Sequence, residues 1–162
     1  MKRRDKNNYY LDIAEEVSHR CTCLRRHYGA VIVKDDEIIA TGYVGAPRGR
    51  KNCTDINACI REEKKIARGE RFELCRSVHA EANAIISAPR KDMIGGFMYL
   101  VGTEMSTKKY IDNASCCAMC KRLVINAGIS KVYIRDDKDN FRVIDVGDWI
   151  ENDESLEGTF GY

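Results

Sequence analysis

Two short motifs with metal-binding side chains each stand at the start of a predicted helix, and a predicted strand separates them. The first motif is the tripeptide from His79 to Glu81, and the second is the tetrapeptide from Cys117 to Cys120. The apolar run from Phe97 to Val101 lies between them and has the length and side chains of a buried strand. A fold in which both motifs act together must bring these two helix starts to one point.

Apolar periodicity and turn residues predict the other elements. They are a helix over residues 8–26, a hairpin of strands at 30–33 and 38–41, helices over 55–68, 78–88 and 117–127, a strand over 131–135, an edge strand over 141–146 and a short helix in the tail from residue 148 onward. Strand, helix and strand follow one another twice, which favours crossovers and parallel pairing, whereas the hairpin is antiparallel. We therefore expect an α/β fold, with a mixed sheet that carries helices on both faces.

Composition narrows the class of protein. A chain of 162 residues suits one domain, which we place over residues 1–162, with a Cys-rich insert at about 48–76. The 27 basic and 25 acidic residues give a net charge of +2, which argues against nucleic acid as a partner. No apolar run approaches the ~20 residues of a membrane span, and no apolar stretch follows the basic start, so we expect a cytoplasmic protein without a membrane partner.

Eight cysteines are many for such a chain. Without a secretory signal, they favour metal binding or catalysis over disulfides. A catalytic Zn²⁺ takes three protein ligands and keeps one position open, and His79, Cys117 and Cys120 can supply the three. The positive end of a helix lowers the pKa of a thiol placed there. Glu81 can take a proton from water and pass it to a leaving nitrogen.

Each motif by itself has an ordinary interpretation. A lone C-x-x-C is typical of a structural zinc half-site or a redox pair, and a lone H-x-E recurs by chance. In this order and on two helix starts, they match the H-x-E…C-x-x-C signature of zinc deaminases that act on nucleobases.

Four segments of the chain resemble the deoxycytidylate (dCMP) deaminases of the zinc-dependent cytidine/deoxycytidylate deaminase superfamily. They are 78–85 (VHAEANAI), 121–129 (KRLVINAGI), 29–33 (GAVIV) and 42–49 (GYVGAPRG). The resemblance implies the cytidine-deaminase fold, three α/β/α layers around a five-stranded mixed sheet. It also implies hydrolysis of dCMP to dUMP and ammonia, a step in pyrimidine nucleotide metabolism that supplies the precursor of dTMP. A homo-oligomer and nucleotide effectors are expected with it.

The chain departs from the family pattern at three places. Cys116 replaces the proline before the first cysteine and is a further thiol near the metal. Val44 replaces the asparagine of the GYNG segment, which bears on the choice of substrate and on regulation at that loop. Residues 104–115 are longer than the usual turn, and we expect Tyr110 within them to cover the pocket.

A second, structural zinc site is also implied by the resemblance. Cys23 and Cys53 match its first two ligand positions, and Cys59 and Cys75 complete a set of four thiolates. Cys21 is the alternative to Cys23. The ordinary interpretation is that these are buried free cysteines.

A nucleotide substrate needs a site for its phosphate. We expect at least one of Arg26, Arg48 and Arg50 to contact it, because arginine binds phosphate through two parallel hydrogen bonds. Most arginines, however, are solvated surface residues. Asn83, on the helix of His79, is a candidate for orienting the active-site loop.

Two other functions stay open at this point. The enzyme could act on another cytosine nucleotide or nucleoside, or on a base in tRNA, although the latter predicts a more basic face. A function of a different class is a catalytically inactive, zinc-stabilised accessory or binding module. The presence of Glu81, which binds no metal and serves only the chemistry, argues against that class.

Overall fold

The computed structural model of the protein describes residues 2–153. Within them, five strands form a mixed sheet: β1 (Arg26–Lys34), β2 (Glu37–Tyr43), β3 (Phe97–Glu104), β4 (Lys131–Arg135) and β5 (Phe141–Asp145). The helices are α1 (Lys6–Ser18), α2 (Cys53–Ile56), α3 (Ile60–Glu63), α4 (Ala80–Ile85), α5 (Arg90–Met93), α6 (Ala118–Ala127) and α7 (Val146–Glu151). None of the described helices is long and apolar enough to cross a membrane.

The strand order in the sheet is β2-β1-β3-β4-β5. A two-residue turn joins β1 to β2, and its residues Asp35 and Asp36 both have positive φ, as in a tight hairpin turn. The pair β3–β4 is parallel, as predicted, and the other three pairs are antiparallel. The predicted parallel pairing of β2 with β3 was wrong, because β1 lies between them. The nearly continuous burial of β1 and β3 favours the two strands as central neighbours, whereas β2 is exposed at alternate positions and lies at an edge.

Alternate residues of β1 divide the core into two clusters. Ala30 and Ile32 face one cluster, which includes buried side chains of α4 and α6. Val31 and Val33 face the other, which includes the buried side chains of α1. Side chains alternate between the two faces of a strand, so helices cover both faces of the sheet and the three-layer α/β/α prediction is confirmed.

Two predicted helices have different bounds in the structure. The helix predicted over 8–26 ends at Ser18, because residues from Arg26 onward pair with β3 instead. The helix predicted over 55–68 is wrong: single-turn helices α2 and α3 replace it, and Asn57 between them has a left-handed backbone. Propensity predicted one helix there, but this polar segment has no periodic apolar face that packing could bury.

The other predicted elements are confirmed with small shifts of their ends. Helix α4 begins after His79 and ends before Pro89, and α6 ends at Gly128, which has the left-handed conformation of a helix C-cap. The predicted edge strand is β5. The tail helix begins earlier than predicted, at Val146, and residues 154–162 of the tail lie outside the described residues.

A buried ion-pair network ties α1 to the end of β4. The side chain of Arg135 is 1% exposed and donates to Asp12 at 2.7 Å and to Glu15 at 2.8 Å. It also donates to the backbone and side-chain oxygens of Asn8, each at 3.2 Å. The two segments are about 120 residues apart in sequence, so this contact anchors the N-terminal helix to the sheet.

Candidate active site

The two motif helices begin side by side. His79 is the N-cap residue of α4 and Cys117 is the N-cap residue of α6, so both side chains project from the first turn of a helix. The Nδ1 atom of His79 lies 3.5 Å from the Sγ of Cys117 and 3.5 Å from the Sγ of Cys120. Across residues 2–153, these three side chains form the single group in which three candidate ligand atoms lie within 4.8 Å of one another.

This donor set suits Zn²⁺. Tetrahedral zinc with ordinary bond lengths to nitrogen and sulfur separates its ligand atoms by about 3.5–3.8 Å, and the observed distances agree. One imidazole and two thiols make three ligands, which leaves the fourth position for water or substrate. The spacing of three residues lets Cys117 and Cys120 reach one point from the first turn of α6.

Local hydrogen bonds prepare the thiols to bind a cation. The hydrogen bond from the Cys120 thiol and the neighbouring His79 hold the pKa of the Cys117 thiol well below its usual range. The backbone N–H of Cys120 also donates to the Cys117 sulfur, at 3.5 Å. Cys120 is buried, and its hydrogen bond to Cys117 raises the pKa of its own thiol.

Glu81 is enclosed beside this cluster. Its side chain is 4% exposed, and burial raises the pKa of its carboxyl group, although the adjacent His79 acts in the opposite direction. A carboxyl group with a raised pKa can both accept and return a proton near neutral pH. The position therefore suits a proton carrier rather than a fourth metal ligand.

A cavity of about 340 Å³ opens onto the cluster. Its wall includes His79, Glu81 and Cys117 together with the apolar side chains of Tyr28, Val44 and Phe72. Four arginines complete the wall: Arg25, Arg26, Arg61 and Arg68. This combination of apolar walls, a few polar groups and positive charge is typical of a site for a small anionic molecule.

The predicted substrate contacts divide into two groups. Arg26 lines the cavity, whereas Arg48 and Arg50 are exposed and are not among the residues of its wall. Asn83 donates to the backbone oxygen of Tyr43 at 2.8 Å and to that of Val78 at 3.4 Å. It thus ties the end of β2 to the segment before His79, in keeping with the predicted role of orienting a loop.

Two departures from the family pattern affect the site. Val44 is 7% exposed and forms part of the cavity wall, where the family carries a polar amide. Cys116 is buried, and burial together with the charge of Glu81 raises the pKa of its thiol well above the usual value. Its sulfur is not part of the ligand group, so Cys117 and Cys120 are the two thiols assembled with His79.

The prediction for Tyr110 was wrong. Its hydroxyl donates to the carboxylate of Glu15 in α1, at 2.9 Å to the nearer oxygen, and its ring packs against the α1 side of the sheet. It therefore lies outside the wall of the 340 Å³ cavity. The hydrogen bond to Glu15 on α1 holds Tyr110 at this position. The length of the segment alone did not indicate that contact.

The thiols predicted for a second zinc lie near the same cavity. Cys23, Cys59 and Cys75 line its wall, and the buried Cys53 lies 3.8 Å from the hydroxyl of Ser77. Among residues 2–153, no three of these four sulfur atoms come as close together as the His79 cluster does. The alternative ligand Cys21 is buried, and its thiol donates to the backbone oxygen of Tyr28 at 3.0 Å.

The sequence analysis missed two residues of the site, Arg61 and Phe72. The Phe72 ring packs edge-on against the imidazole of His79, with centroids 5.0 Å apart, and the guanidinium of Arg61 lies 4.7 Å from the Phe72 ring centre. Phe72 is the single aromatic residue in the mostly polar segment 48–76, and this was the available signal. A large aromatic side chain in a polar segment indicates a buried contact.

Comparison with known proteins shows which family the chain resembles. The family model described as "Cytidine and deoxycytidylate deaminase zinc-binding region" matches residues 4–135. The deoxycytidylate deaminase of Mycobacterium phage D29 is 34% identical over 136 residues, which cover 82% of this chain and 95% of the phage protein. The deoxycytidylate deaminase of Schizosaccharomyces pombe is 31% identical over 126 residues, which cover 78% of this chain but 35% of the yeast protein.

A solved structure agrees in fold. The crystal structure of dCMP deaminase from the cyanophage S-TIM5, in apo form, superposes with a TM-score of 0.57 and 25% identity, over 85% of this chain and 88% of the phage chain. The family match spans most of the chain and includes all three members of the ligand group. The chain therefore belongs to the cytidine and deoxycytidylate deaminase zinc-binding family.

Proposed function

We propose that this protein is a zinc-dependent deaminase that hydrolyses dCMP to dUMP and ammonia. The observation that carries the proposal is the meeting of the His79, Cys117 and Cys120 side chains beside the buried Glu81, at the wall of one cavity. Relatives named deoxycytidylate deaminase at 31–34% identity support dCMP as the substrate.

The residues divide the chemistry between them. When bound by the three ligands, zinc supplies the Lewis acidity that makes water a nucleophile at neutral pH. Glu81 accepts the proton that water loses as its oxygen bonds to C4 of the cytosine ring. Glu81 delivers that proton to N3 of the ring. It then carries the second proton of the attacking oxygen to the exocyclic nitrogen, which leaves as ammonia when its bond to C4 breaks, and the oxygen remains on C4 as the carbonyl group of dUMP. The enclosed position of Glu81 keeps this proton from bulk water.

The cavity favours a small anionic substrate over a polynucleotide. Its volume of about 340 Å³ falls within the usual range of small-molecule sites, and four of the residues in its wall are arginines. A tRNA substrate predicts a broad basic face, and the net charge of +2 weakens that alternative. Val44 is an apolar side chain in the wall, where the family carries an amide. The preference among cytosine nucleotides is therefore the first property to measure.

A second, structural zinc is part of the proposal. Support comes from the gathering of Cys23, Cys59 and Cys75 around one cavity. Burial raises the pKa of the Cys75 thiol, and the nearby thiols of Cys23 and Cys53 act in the same direction. Protonated thiols do not attract one another, so a metal would have to draw the four sulfurs together. The zinc content of purified protein tests this: two per chain supports the second site, and one per chain excludes it.

Oligomeric assembly, nucleotide effectors, a cytoplasmic location and a single domain over 1–162 with its Cys-rich insert belong to the same proposal. All eight cysteines lie within the described residues and are free thiols, which suits a reducing compartment. The other expectations rest on the family resemblance.

The experiment measures ammonia release from dCMP, dCTP, deoxycytidine and a tRNA substrate by zinc-loaded protein. We expect turnover of dCMP, and a loss of at least about 100-fold in the Glu81→Gln variant with its zinc retained. The matched control is Glu16→Gln, because Glu16 is exposed on α1. Turnover of a different substrate would replace dCMP, and turnover of none by the zinc-loaded protein would favour the binding module.

A further inference from the structure

Arg61 is an enclosed arginine in the wall of the active-site cavity. It lies in α3 and is 5% exposed, although arginine is seldom buried without a partner. Its Nη2 donates to the backbone oxygen of Ala67 at 3.0 Å. Its Nη1 is buried and has no hydrogen-bond partner. A buried donor without an acceptor is costly, so this position calls for a partner that the folded chain itself does not supply.

Each of the other three cavity arginines pairs with a carboxylate, and two of them share the same one. Arg25 pairs with Glu62 at 3.2 Å. Arg26 and Arg68 both pair with Glu104, at 3.0 Å and 3.4 Å. Arg61 forms no ion pair with any carboxylate of residues 2–153. Arg61 is therefore the arginine of this wall whose guanidinium has no carboxylate partner within residues 2–153.

Phe72 holds this charge at a fixed place relative to the catalytic cluster. The guanidinium lies against one ring, and the same ring packs edge-on against His79. The two contacts place the guanidinium carbon at most about 10 Å from the centre of the imidazole. A nucleoside monophosphate extends over a comparable length from the reacting end of its base to its phosphate.

We propose that Arg61 binds the phosphate of the nucleotide substrate and so makes the enzyme select nucleotides over nucleosides. This inference rests on the proposed function and replaces Arg48 and Arg50 as phosphate contacts. A phosphate offers a charge of opposite sign and acceptors for the two Nη atoms, which arginine binds in parallel. Because Nη1 is enclosed in the substrate-free chain, the guanidinium turns on the face of Phe72 to meet the anion.

Equilibrium binding of the product tests the proposal without catalysis. Calorimetry would compare dUMP with deoxyuridine, which differ by the phosphate alone, on zinc-loaded wild-type and Arg61→Gln protein. We expect wild-type protein to favour dUMP and the variant to lose about 10- to 100-fold of that preference, with little change for deoxyuridine. Arg61→Lys keeps the positive charge but loses the two parallel donors of the guanidinium. Its preference for dUMP should lie between those of the wild-type and Arg61→Gln proteins.

The matched control is Arg90→Gln, which removes an exposed arginine of α5 that is outside the cavity wall. We expect it to keep the preference for dUMP within about threefold, because solvent and salt screen the charge of an exposed side chain. A misfolded fraction of Arg61→Gln would reduce the number of sites for both ligands alike and leave the ratio of their affinities unchanged. The ratio therefore separates phosphate binding from a merely structural role.

Three results would overturn the role of Arg61. They are an unchanged ratio in Arg61→Gln, equal losses in Arg61→Gln and Arg90→Gln, and a wild-type protein without preference for dUMP. Failure of the proposed function has a different signature, namely no ammonia from dCMP although dUMP binds. Binding and turnover are measured separately, so the two failures are distinguishable.

Discussion

Gly42 of β2 lies directly against the backbone of Ala80, the first residue of the helix that carries Glu81. A Cβ at position 42 would overlap the carbonyl oxygen of Ala80 and would lie 2.9 Å from the Cα of Ala84. Glycine is therefore required at this position by a close approach of backbone to backbone, since α4 could not otherwise lie so near the sheet. The relationship connects an edge strand to the geometry of the active site.

Gly42→Ala should displace α4 and weaken the fold. We expect the free energy of unfolding to fall by about 1–3 kcal/mol, because the overlapping atoms belong to the backbone and cannot rotate away. Zinc affinity should fall with it, since His79 and Glu81 move with α4. Urea unfolding and a zinc titration measure the two effects.

The matched control is Gly45→Ala. A Cβ there would meet its nearest atom, the Thr22 hydroxyl oxygen, at 3.4 Å, an ordinary contact. We expect a change within about 0.5 kcal/mol. Equal effects of the two substitutions would show that the approach of Gly42 to α4 is not what matters.

Removing one ligand thiol should remove the catalytic zinc. Cys120→Ser replaces a buried thiol that lies 3.5 Å from His79, and we expect the zinc content to fall by one per chain. Cys116→Ser should keep that zinc, because its sulfur is outside the ligand group. Metal analysis after gel filtration gives the zinc content of both variants. Loss of zinc from the Cys116→Ser variant would show that Cys116 is a ligand.

The contact of Phe72 with His79 should hold the metal ligand in place. Phe72→Leu removes an edge-on aromatic pair, which contributes about 0.5–1.5 kcal/mol, so we expect zinc to bind roughly 3- to 10-fold more weakly. Phe97→Leu is the control, because Phe97 packs on Tyr133 at the other face of the sheet. A competition titration with a zinc chelator gives the zinc dissociation constants of the two variants. Equal zinc affinities of Phe72→Leu and Phe97→Leu would exclude this role for Phe72.

The Arg135 network should make the fold sensitive to acid. Breaking a buried ion pair costs about 3–5 kcal/mol, and because the partner carboxylates are partly exposed we expect about 3 kcal/mol for Arg135→Met at pH 7. Burial acts to raise the pKa of Asp12, but hydrogen bonds from Arg4 and Arg135 outweigh it and lower the pKa below 3.8.

The sign of the pH effect follows from that shift. A carboxyl group with a lowered pKa in the folded state stabilises the fold above pH 3.8, and the contribution disappears as the pH falls through the lowered pKa. The difference between wild-type and Arg135→Met should therefore shrink below about pH 4. Urea unfolding at several pH values measures it, with Arg142→Met, a more exposed pair, as the control. A difference that stays constant down to pH 2.5 would contradict the role of Asp12.

Several features of the site were predictable from the sequence because they are local. The spacing of Cys117 and Cys120 places both thiols in one helical turn whatever surrounds them, and His79 before a run of helix formers becomes an N-cap residue. The apolar run of β3 must be buried, which places a strand between the two motifs. Residue type and short spacing carry this information, and it was enough to select the candidate zinc ligands that the structure brings together, Glu81 beside them, and the three layers.

Tertiary structure alone decided the contacts between distant segments. The neighbours of β1 depend on which strand pairs bury the most surface, so the position of β3 next to β1 could not be deduced from the order of elements. Tyr110 lies where Glu15 accepts its hydrogen bond, and Arg61 is exceptional because each of the other cavity arginines pairs with a carboxylate. Burial and charge compensation are properties of the packed chain, and a linear pattern does not contain them.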